Sequence, residues 1–579
     1  MRNTVKNYEI EYKRWLASES LTDCERAELV AIAHDEEAKE LRFGSPMSFG
    51  TAGLRSTMSM GIGCMNRFTV ASATRGIAAL VKKEGGEKRG VAIACDSRNN
   101  SMDFAKICAC VLAGEGIRAF IFDDIRPTPE LSFAVRECGA LAGINITASH
   151  NPKEYNGYKA YWEDGAQLAP EHASIVAAAM AEFDPLDLSG IADFDEAVRS
   201  GLITVLGAEF DEKYLAAVLG TAINPSLVEE VADELKVVYT PLHGAGRVLV
   251  PEVFRRLGLK HLYLVESQMQ ADGNFPTVKK PNPEYPDVFT DGIEIANRVG
   301  SDLIIATDPD SDRVGVMTRT PDGSFTTITG NQMGALLLDY AISERRKAGR
   351  LEGAFCVKSI VSTDMAYKIA KDNGVVLHDV LTGFKFIGEV IKNYEREGKE
   401  SGFILGFEES YGYLLGSYAR DKDAVEASMM ILEMTAFYKK KGMTLSDALA
   451  ELYKRYGFYK EGVIDIYMEG LDGIERRKRI MQSLRDNAPT EIGGVKVASV
   501  GDYKSGEVKD MTSGAVSPTG QPSSDVLYYT LENGDKVIVR PSGTEPKIKI
   551  YILAHDECEC TLAKKLEAYE RDGRRMTAV

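Results

Sequence analysis

The chain has 579 residues, 44% apolar and 27% charged, with 69 Lys and Arg against 86 Asp and Glu for a net charge of −17. That composition is ordinary for a soluble globular protein, and the acid excess argues against the broad cationic face that nucleic acid or an anionic membrane requires. A local cation cluster for a small anionic ligand remains compatible with it.

At roughly 100–200 residues per domain, the length predicts about three to six domains. No apolar run reaches the ~18–20 residues that span a bilayer, and no apolar stretch follows Met1–Lys6, so no signal peptide is expected. The nine cysteines are odd in number and scattered. The closest pairs, Cys108/Cys110 and Cys558/Cys560, are spaced too tightly for the usual zinc patterns. They read as reduced, structural thiols of a cytoplasmic protein.

Residues 1–42 predict a helical arm, with Thr22 and Glu25 spaced as a capping box. Short apolar runs then alternate with helical stretches: Val91–Cys95, a helix from Ser101, Arg118–Asp123, a helix near Pro129, and Leu141–Ser149. The pattern returns in Val237–Pro241, His261–Glu266 and Leu303–Asp308, and again in Ala354–Ser359, Val375–Val380 and Gly402–Glu408. Strands separated by helices indicate βαβ units. Near the C-terminus, Asn533-Gly534 between Val526–Leu531 and Lys536–Arg540 predicts a hairpin, followed by a strand at Lys547–Leu553 and a final helix. The expected fold class is α/β: three similar mixed-sheet domains plus a smaller C-terminal α+β domain around a central cleft. The expected boundaries are 1–42, 43–205, 206–320, 321–450 and 451–579.

Ligands of open α/β sheets bind beyond the carboxyl ends of the strands, where three polar loops stand, and Arg540–Lys549 in the C-terminal domain is a further candidate. Asp308-Pro309-Asp310-Ser311-Asp312-Arg313 sets three carboxylates at alternate positions. They would repel one another unless solvated or neutralised, and they suit a hard divalent cation. An EF-hand fails, because Arg313 and Arg319 stand where its Gly and Glu belong. Thr147–Pro152, followed by Tyr155–Lys159, reads as an exposed loop. Ser149 and His150 lack the G-x-S-x-G setting of an acyl-transfer serine, and adjacent side chains seldom face one another. A phosphorylated Ser149 would instead present its oxygens to the acidic loop, with Lys159 as proton-transfer group or phosphate partner. Arg540–Lys549 combines Arg, hydroxyls, Gly and Lys in a manner suited to a phosphate dianion, although an ordinary turn fits equally. Glu408-Glu409-Ser410 suits vicinal hydroxyls or an acid-rich helix start, with Arg420 and Lys422 nearby for an anionic sugar.

Together these loops resemble the α-D-phosphohexomutase superfamily. The resemblance rests on Thr-Ala-Ser-His-Asn-Pro at 147–152, Asp-Pro-Asp-Ser-Asp-Arg at 308–313, Gly-Phe-Glu-Glu-Ser at 406–410, Arg-Pro-Ser-Gly-Thr-Glu-Pro at 540–546 and Phe49–Arg55. The long arm and Gly406–Lys422 look most like its phosphoglucomutase/phosphopentomutase branch. The resemblance implies four domains and a phosphoserine at Ser149, assisted by His150 and Lys159. Magnesium would be held by Asp308, Asp310, Asp312 and the Ser149 phosphate. Arg55, Arg313, Thr382, Gly383, Lys385, Glu408, Ser410 and Lys422 would contact the sugar phosphate. Arg540, Ser542, Gly543, Thr544 and Lys549 would grip its non-reacting phosphate. Ser56, where many members have Gly, and Ser311 are departures that remove no catalytic group. The implied activity interconverts glucose 1-phosphate and glucose 6-phosphate through glucose 1,6-bisphosphate. Pentose and mannose phosphates are the runner-up substrates, and a sugar phosphatase or a sugar-phosphate sensor is the rival class.

Overall fold

The computed structural model describes residues 7–50, 53–468, 470–542 and 547–578. They form two compact units: the first runs to Arg319 and regains Gly412–Ala436, and the second holds Thr320–Tyr411 with the chain from Phe437 onward.

The first unit begins with helices Asn7–Leu16, Asp23–Ala31 and Glu36–Phe43. Thr22 and Glu25 form the expected reciprocal capping box. Trp15 anchors the arm, its ring edge-on to Phe43 at 5.8 Å and to Phe68 at 5.2 Å. A six-stranded sheet follows in the spatial order Leu54–Thr57, Tyr155–Trp162, Ala142–Ile146, Val91–Cys95, Ala119–Phe122, Ile203–Leu206. The strand Val91–Cys95 runs parallel to both neighbours. All three of these central strands are wholly buried, as expected where helices cover both faces.

The sequence expectation fails at Tyr155–Lys159. Despite its Asn156-Gly157 turn signal, the segment belongs to the strand Tyr155–Trp162, antiparallel to Ala142–Ile146 with Lys159 opposite Asn145. Gly157 serves close packing there: a Cβ would lie 2.5 Å from the Thr147 carbonyl oxygen. A second sheet includes, in order, Val314–Arg319, Leu303–Thr307, Lys236–Thr240 and His261–Leu264; the first of these pairings is antiparallel and the other two are parallel.

In the second unit, Val376–Val380, Phe355–Ser359 and Phe403–Glu408 are parallel neighbours, packed by helices including Gly330–Lys347 and Phe384–Arg396. The C-terminal sheet is antiparallel and larger than expected. Its longest pair joins Phe458–Tyr467 to Lys547–Asp556, and it continues through Lys536–Pro541, Leu527–Leu531 and Val495–Asp502. The hairpin at Asn533-Gly534 is present. The polar stretch after Lys504, which carries no strand signal, contributes the short, largely exposed strands Glu507–Asp510 and Val516–Pro518. Ile360, Val361 and Leu381 pack with Ile538, Tyr551 and Leu553 in one core that joins the parallel sheet to the C-terminal one.

The returning segment Gly412–Ala436 is tied to the first unit by polar bonds. Tyr214 donates to Asp423 at 2.7 Å, and Glu433 accepts the Asn224 amide at 2.9 Å. Burial, then the charge of Asp423, pushes the Glu426 carboxyl from 4.5 up to about 8. The folded chain therefore binds a proton there that the unfolded chain releases. Stability from this group is full below 4.5 and is lost as pH rises through about 8. Glu426→Gln keeps an acceptor for the Leu415 amide. Chemical denaturation from about pH 5 to about pH 8 is expected to cost the parent a few kcal/mol more than the variant.

Candidate active site

The strand Ala142–Ile146 delivers Thr147 and Ser149 to its carboxyl end. Thr147 Oγ1 accepts the Ser149 amide at 2.8 Å and donates to buried Asp96 at 2.6 Å. Ser149 has a φ of 51°, a left-handed conformation that is costly for a residue with a Cβ. It aims Oγ at Asp308, to which the hydroxyl donates at 2.7 Å. It also sets Oγ 3.1 Å from His150 Nδ1, against the expectation that these neighbours would diverge. The bent backbone is what turns the two side chains together. Burial of the ring, then the charges of Arg313 and Arg55, hold the imidazole well below its ordinary value, so it is neutral at pH 7.

What keeps this loop in place is a residue that sequence reasoning passed over. Arg98, buried, donates to the carbonyls of Ser149 and Asn151 at 2.5 Å each, of Pro152 at 2.8 Å and of Tyr155 at 3.0 Å. Its charge is matched by Asp96 at 3.3 Å. Asp96-Ser97-Arg98 directly follows the strand Val91–Cys95, so the rule that points to strand carboxyl ends applied here too.

The second sheet supplies the acids. Asp308, Asp310 and Asp312 are buried, and one carboxylate oxygen from each lies within 4.8 Å of the others. Ser311, at a φ of 53°, turns the loop between them. The amides of Asp312 and Arg313 donate to Asp308 Oδ1 at 3.1 and 3.0 Å. Lys159 donates to Asp310 at 2.7 Å and to Asp312 at 3.2 Å, and Lys422 reaches Asp312 at 3.2 Å. Thr128, also missed from sequence, donates its hydroxyl to the Asp310 carboxylate at 2.9 Å and its amide to the Asp310 backbone carbonyl at 2.8 Å, and its hydroxyl accepts from Asn145 at 2.7 Å.

Burial, then the charges of Asp310 and Asp312, push Asp308 well above the usual carboxylate range. Burial opposes ionisation of Asp312 as well, yet Lys422 and Lys159 hold it well below that range. Asp310 Oδ1 and Asp312 Oδ1 have no hydrogen-bond partner among the described residues. Three clustered carboxylates, two of whose buried oxygens accept no hydrogen bond among the described residues, fit a hard divalent cation. Arg313 pairs with Glu284, and Arg55 donates to Asn151 Oδ1 at 3.2 Å. Arg420 does not suit a sugar contact, since it is fully buried and donates to the Ser417 and Ala419 carbonyls.

The second unit gathers the remaining predicted residues. Glu408 closes the strand Phe403–Glu408 and leads into a turn, not a helix. It accepts the Gly383 amide at 2.7 Å. Gly383 has a φ of 124°, open in practice only to glycine. Beside it the buried Thr382 hydroxyl has no partner among the described residues. Lys385 lies over the Phe386 ring at 5.0 Å, and burial lowers its ammonium. Ser410 occupies the turn after Glu408.

Arg540 and Lys549 face each other across paired strands, and both charges pull on Glu409, which burial and Glu408 otherwise raise. Lys547 is buried and paired with Asp465 at 3.2 Å. Ser542 donates its amide to the Lys547 carbonyl at 2.8 Å. Gly543 and Thr544 lie outside the described residues.

Models of the phosphoglucomutase/phosphomannomutase alpha/beta/alpha domains I, II and III match residues 46–186, 212–323 and 329–456. The chain is 37% identical over 520 residues to the phosphoglucomutase of Staphylococcus aureus strain MRSA252, covering 88% of this chain and 90% of that one. It is 36% identical over 535 residues to the phosphoglucomutase of Staphylococcus saprophyticus, covering 92% and 95%. Among solved structures, the open form of the Paramecium phosphoglucomutase pp63/parafusin matches with a TM-score of 0.66 at 17% identity, over 92% of this chain and 95% of that one. The chain belongs to the phosphoglucomutase/phosphomannomutase family of the α-D-phosphohexomutase superfamily.

Arg98→Lys keeps the charge beside Asp96 but loses the fork that gathers four carbonyls. Leaving buried carbonyls unpaired costs about 1–3 kcal/mol each, and misplacement by ~1 Å lowers turnover about a hundredfold. Steady-state assays with phosphosugar should show kcat falling far more than KM rises, together with a lower Tm.

Proposed function

We propose that the chain is a magnesium-dependent phosphoglucomutase, interconverting glucose 1-phosphate and glucose 6-phosphate through phosphorylated Ser149 and glucose 1,6-bisphosphate. The observation that carries this reading is the 2.7 Å bond between Ser149 Oγ and Asp308, within an acid triad in which two oxygens accept no hydrogen bond among the described residues. The glucose assignment draws on relatives named phosphoglucomutase at 36–37% identity.

Phosphoryl transfer depends chiefly on positioning and charge neutralisation. Asp308, Asp310 and Asp312 would hold the magnesium, which when bound supplies charge stabilisation at the transferring phosphoryl group. Arg98 and Thr147 fix the Ser149 backbone, so the nucleophilic oxygen returns to one place after each transfer. Neutral His150, at 3.1 Å, is available to accept the proton of an attacking hydroxyl. Lys159 is bonded to Asp310 and Asp312 and in this reading serves first as their counter-charge. Glu408, Ser410 and the Thr382 hydroxyl would bind sugar hydroxyls. Arg540, Ser542 and Lys549 would take the phosphate that is not reacting. The nine free thiols agree with a reducing cytoplasmic setting.

Phosphorus NMR with magnesium and a trace of glucose 1,6-bisphosphate tests the reading. Glucose 1-phosphate is expected to convert to glucose 6-phosphate faster than ribose 1-phosphate converts to ribose 5-phosphate. The reverse order would reassign the enzyme to pentose phosphates, and release of inorganic phosphate alone would make it a phosphatase. Ser149→Ala is expected to lower turnover by at least about a thousandfold, and chelation should abolish activity until magnesium is restored. Lys549→Met should raise KM about tenfold through loss of a phosphate contact, while Lys547→Met should act mainly on Tm.

A further inference from the structure

Two thiols outside the mutase machinery stand side by side in solvent. Cys558 immediately precedes the closing helix Glu559–Met576, and Cys560 lies in its first turn. Both are exposed, and their sulfurs are 2.7 Å apart. The turn presenting them is fixed. The Cys558 amide donates to Asp556 at 3.0 Å, and Asp556 pairs with Lys565 at 2.8 Å. Cys24 is the other exposed thiol, whereas Cys64, Cys95, Cys108 and Cys356 are buried.

We infer that Cys558 and Cys560 form a reactive dithiol that reduces low-molecular-weight disulfides and closes into an intrachain disulfide. The Cys560 sulfur, then the Thr561 amide, draw the Cys558 thiol from 9.0 down to about 7. A substantial share is therefore thiolate, the nucleophilic form, at neutral pH. In the first step the Cys558 thiolate attacks one sulfur of R–S–S–R, forming Cys558–S–S–R and expelling RS⁻. Cys560 then gives its proton to that RS⁻ and attacks the Cys558 sulfur, expelling the second RS⁻, which takes the proton Cys558 had released to solvent. Two protein thiols lose two electrons, and one small disulfide becomes two thiols. Because Cys560 is already beside the mixed disulfide, ring closure is intramolecular and outruns capture by a second small disulfide.

Oxidised glutathione incubated with the folded, full-length protein provides the test. Trypsin releases Ile550–Lys564, which carries both cysteines and no other. The expected peptide has lost two hydrogen atoms, carries no glutathione, and regains them with reductant. Cys560→Ser should halt the reaction at a glutathione adduct on Cys558, and Cys558→Ser should slow consumption of the disulfide severalfold. Two stable adducts on the wild-type peptide would overturn the inference. So would an unreacted dithiol under conditions that modify Cys24.

Discussion

Three carboxylates held together away from water are the constraint around which the first unit is built. Asp308, Asp310 and Asp312 repel one another, and burial removes the solvent that would screen them. Their partners come from distant parts of the chain. Lys159 arrives on a strand of the first sheet, Thr128 from the helix start behind that sheet, and Lys422 from the segment that returns at Gly412. That return is anchored at the acid loop itself, where the Ala424 amide donates to the Ser311 carbonyl at 3.1 Å. Neutralising the triad and assembling the unit are thus one problem, which accounts for the inclusion of a stretch separated from the rest by about ninety residues.

The serine poses the complementary problem, strain in place of repulsion. A left-handed Ser149 persists only when its surroundings over-determine it. Thr147 takes its amide, and Arg98 takes its carbonyl together with three others downstream. A planar guanidinium with five donors can gather several carbonyls at once, which an ammonium on a flexible stem does less well. Asp96 links the two devices, bonding Thr147 on one side and pairing with Arg98 on the other. The position of Ser149 therefore depends on Thr147, Asp96 and Arg98 acting on its backbone.

Much of this was legible in the residues. Strand Val91–Cys95 and the helix start at Ser101 fall where apolar runs and turn signals put them, because wholly buried parallel strands leave an uninterrupted apolar signature. The acid loop was legible because alternate carboxylates have few purposes. Tyr155–Trp162 was not, because Asn156-Gly157 signals a turn locally, whereas tertiary packing required a residue without a side chain inside a strand. Nor was the role of Arg98, since one arginine after a strand carries no pattern until its carbonyl partners, more than fifty residues away, have folded around it. The contact between Ser149 and His150 depended on a backbone angle that sequence spacing does not encode.

The charges near Ser149 also bear on the order in which the site is completed. Lys159 and Lys422 bring two positive charges to three carboxylates, and Asp308, next to the serine, is the acid held well above its usual range. In the proposed mutase reading, phosphorylation would add about −1.5 to −2 charges at the Ser149 oxygen that is hydrogen-bonded to Asp308. That addition is unfavourable with Asp308 ionised, and a protonated Asp308 surrenders a ligand oxygen of the triad. Divalent cation binding would relieve both difficulties in that reading, since it would favour the ionised acid and offset the phosphate. Linkage is reciprocal, so in that reading a cation that favours the phosphoserine by some factor would itself be held more tightly by the same factor once Ser149 is phosphorylated. In the proposed reading, the three acids and Ser149 therefore behave as one titrating assembly, in which cation and phosphoryl group offset one another's charge.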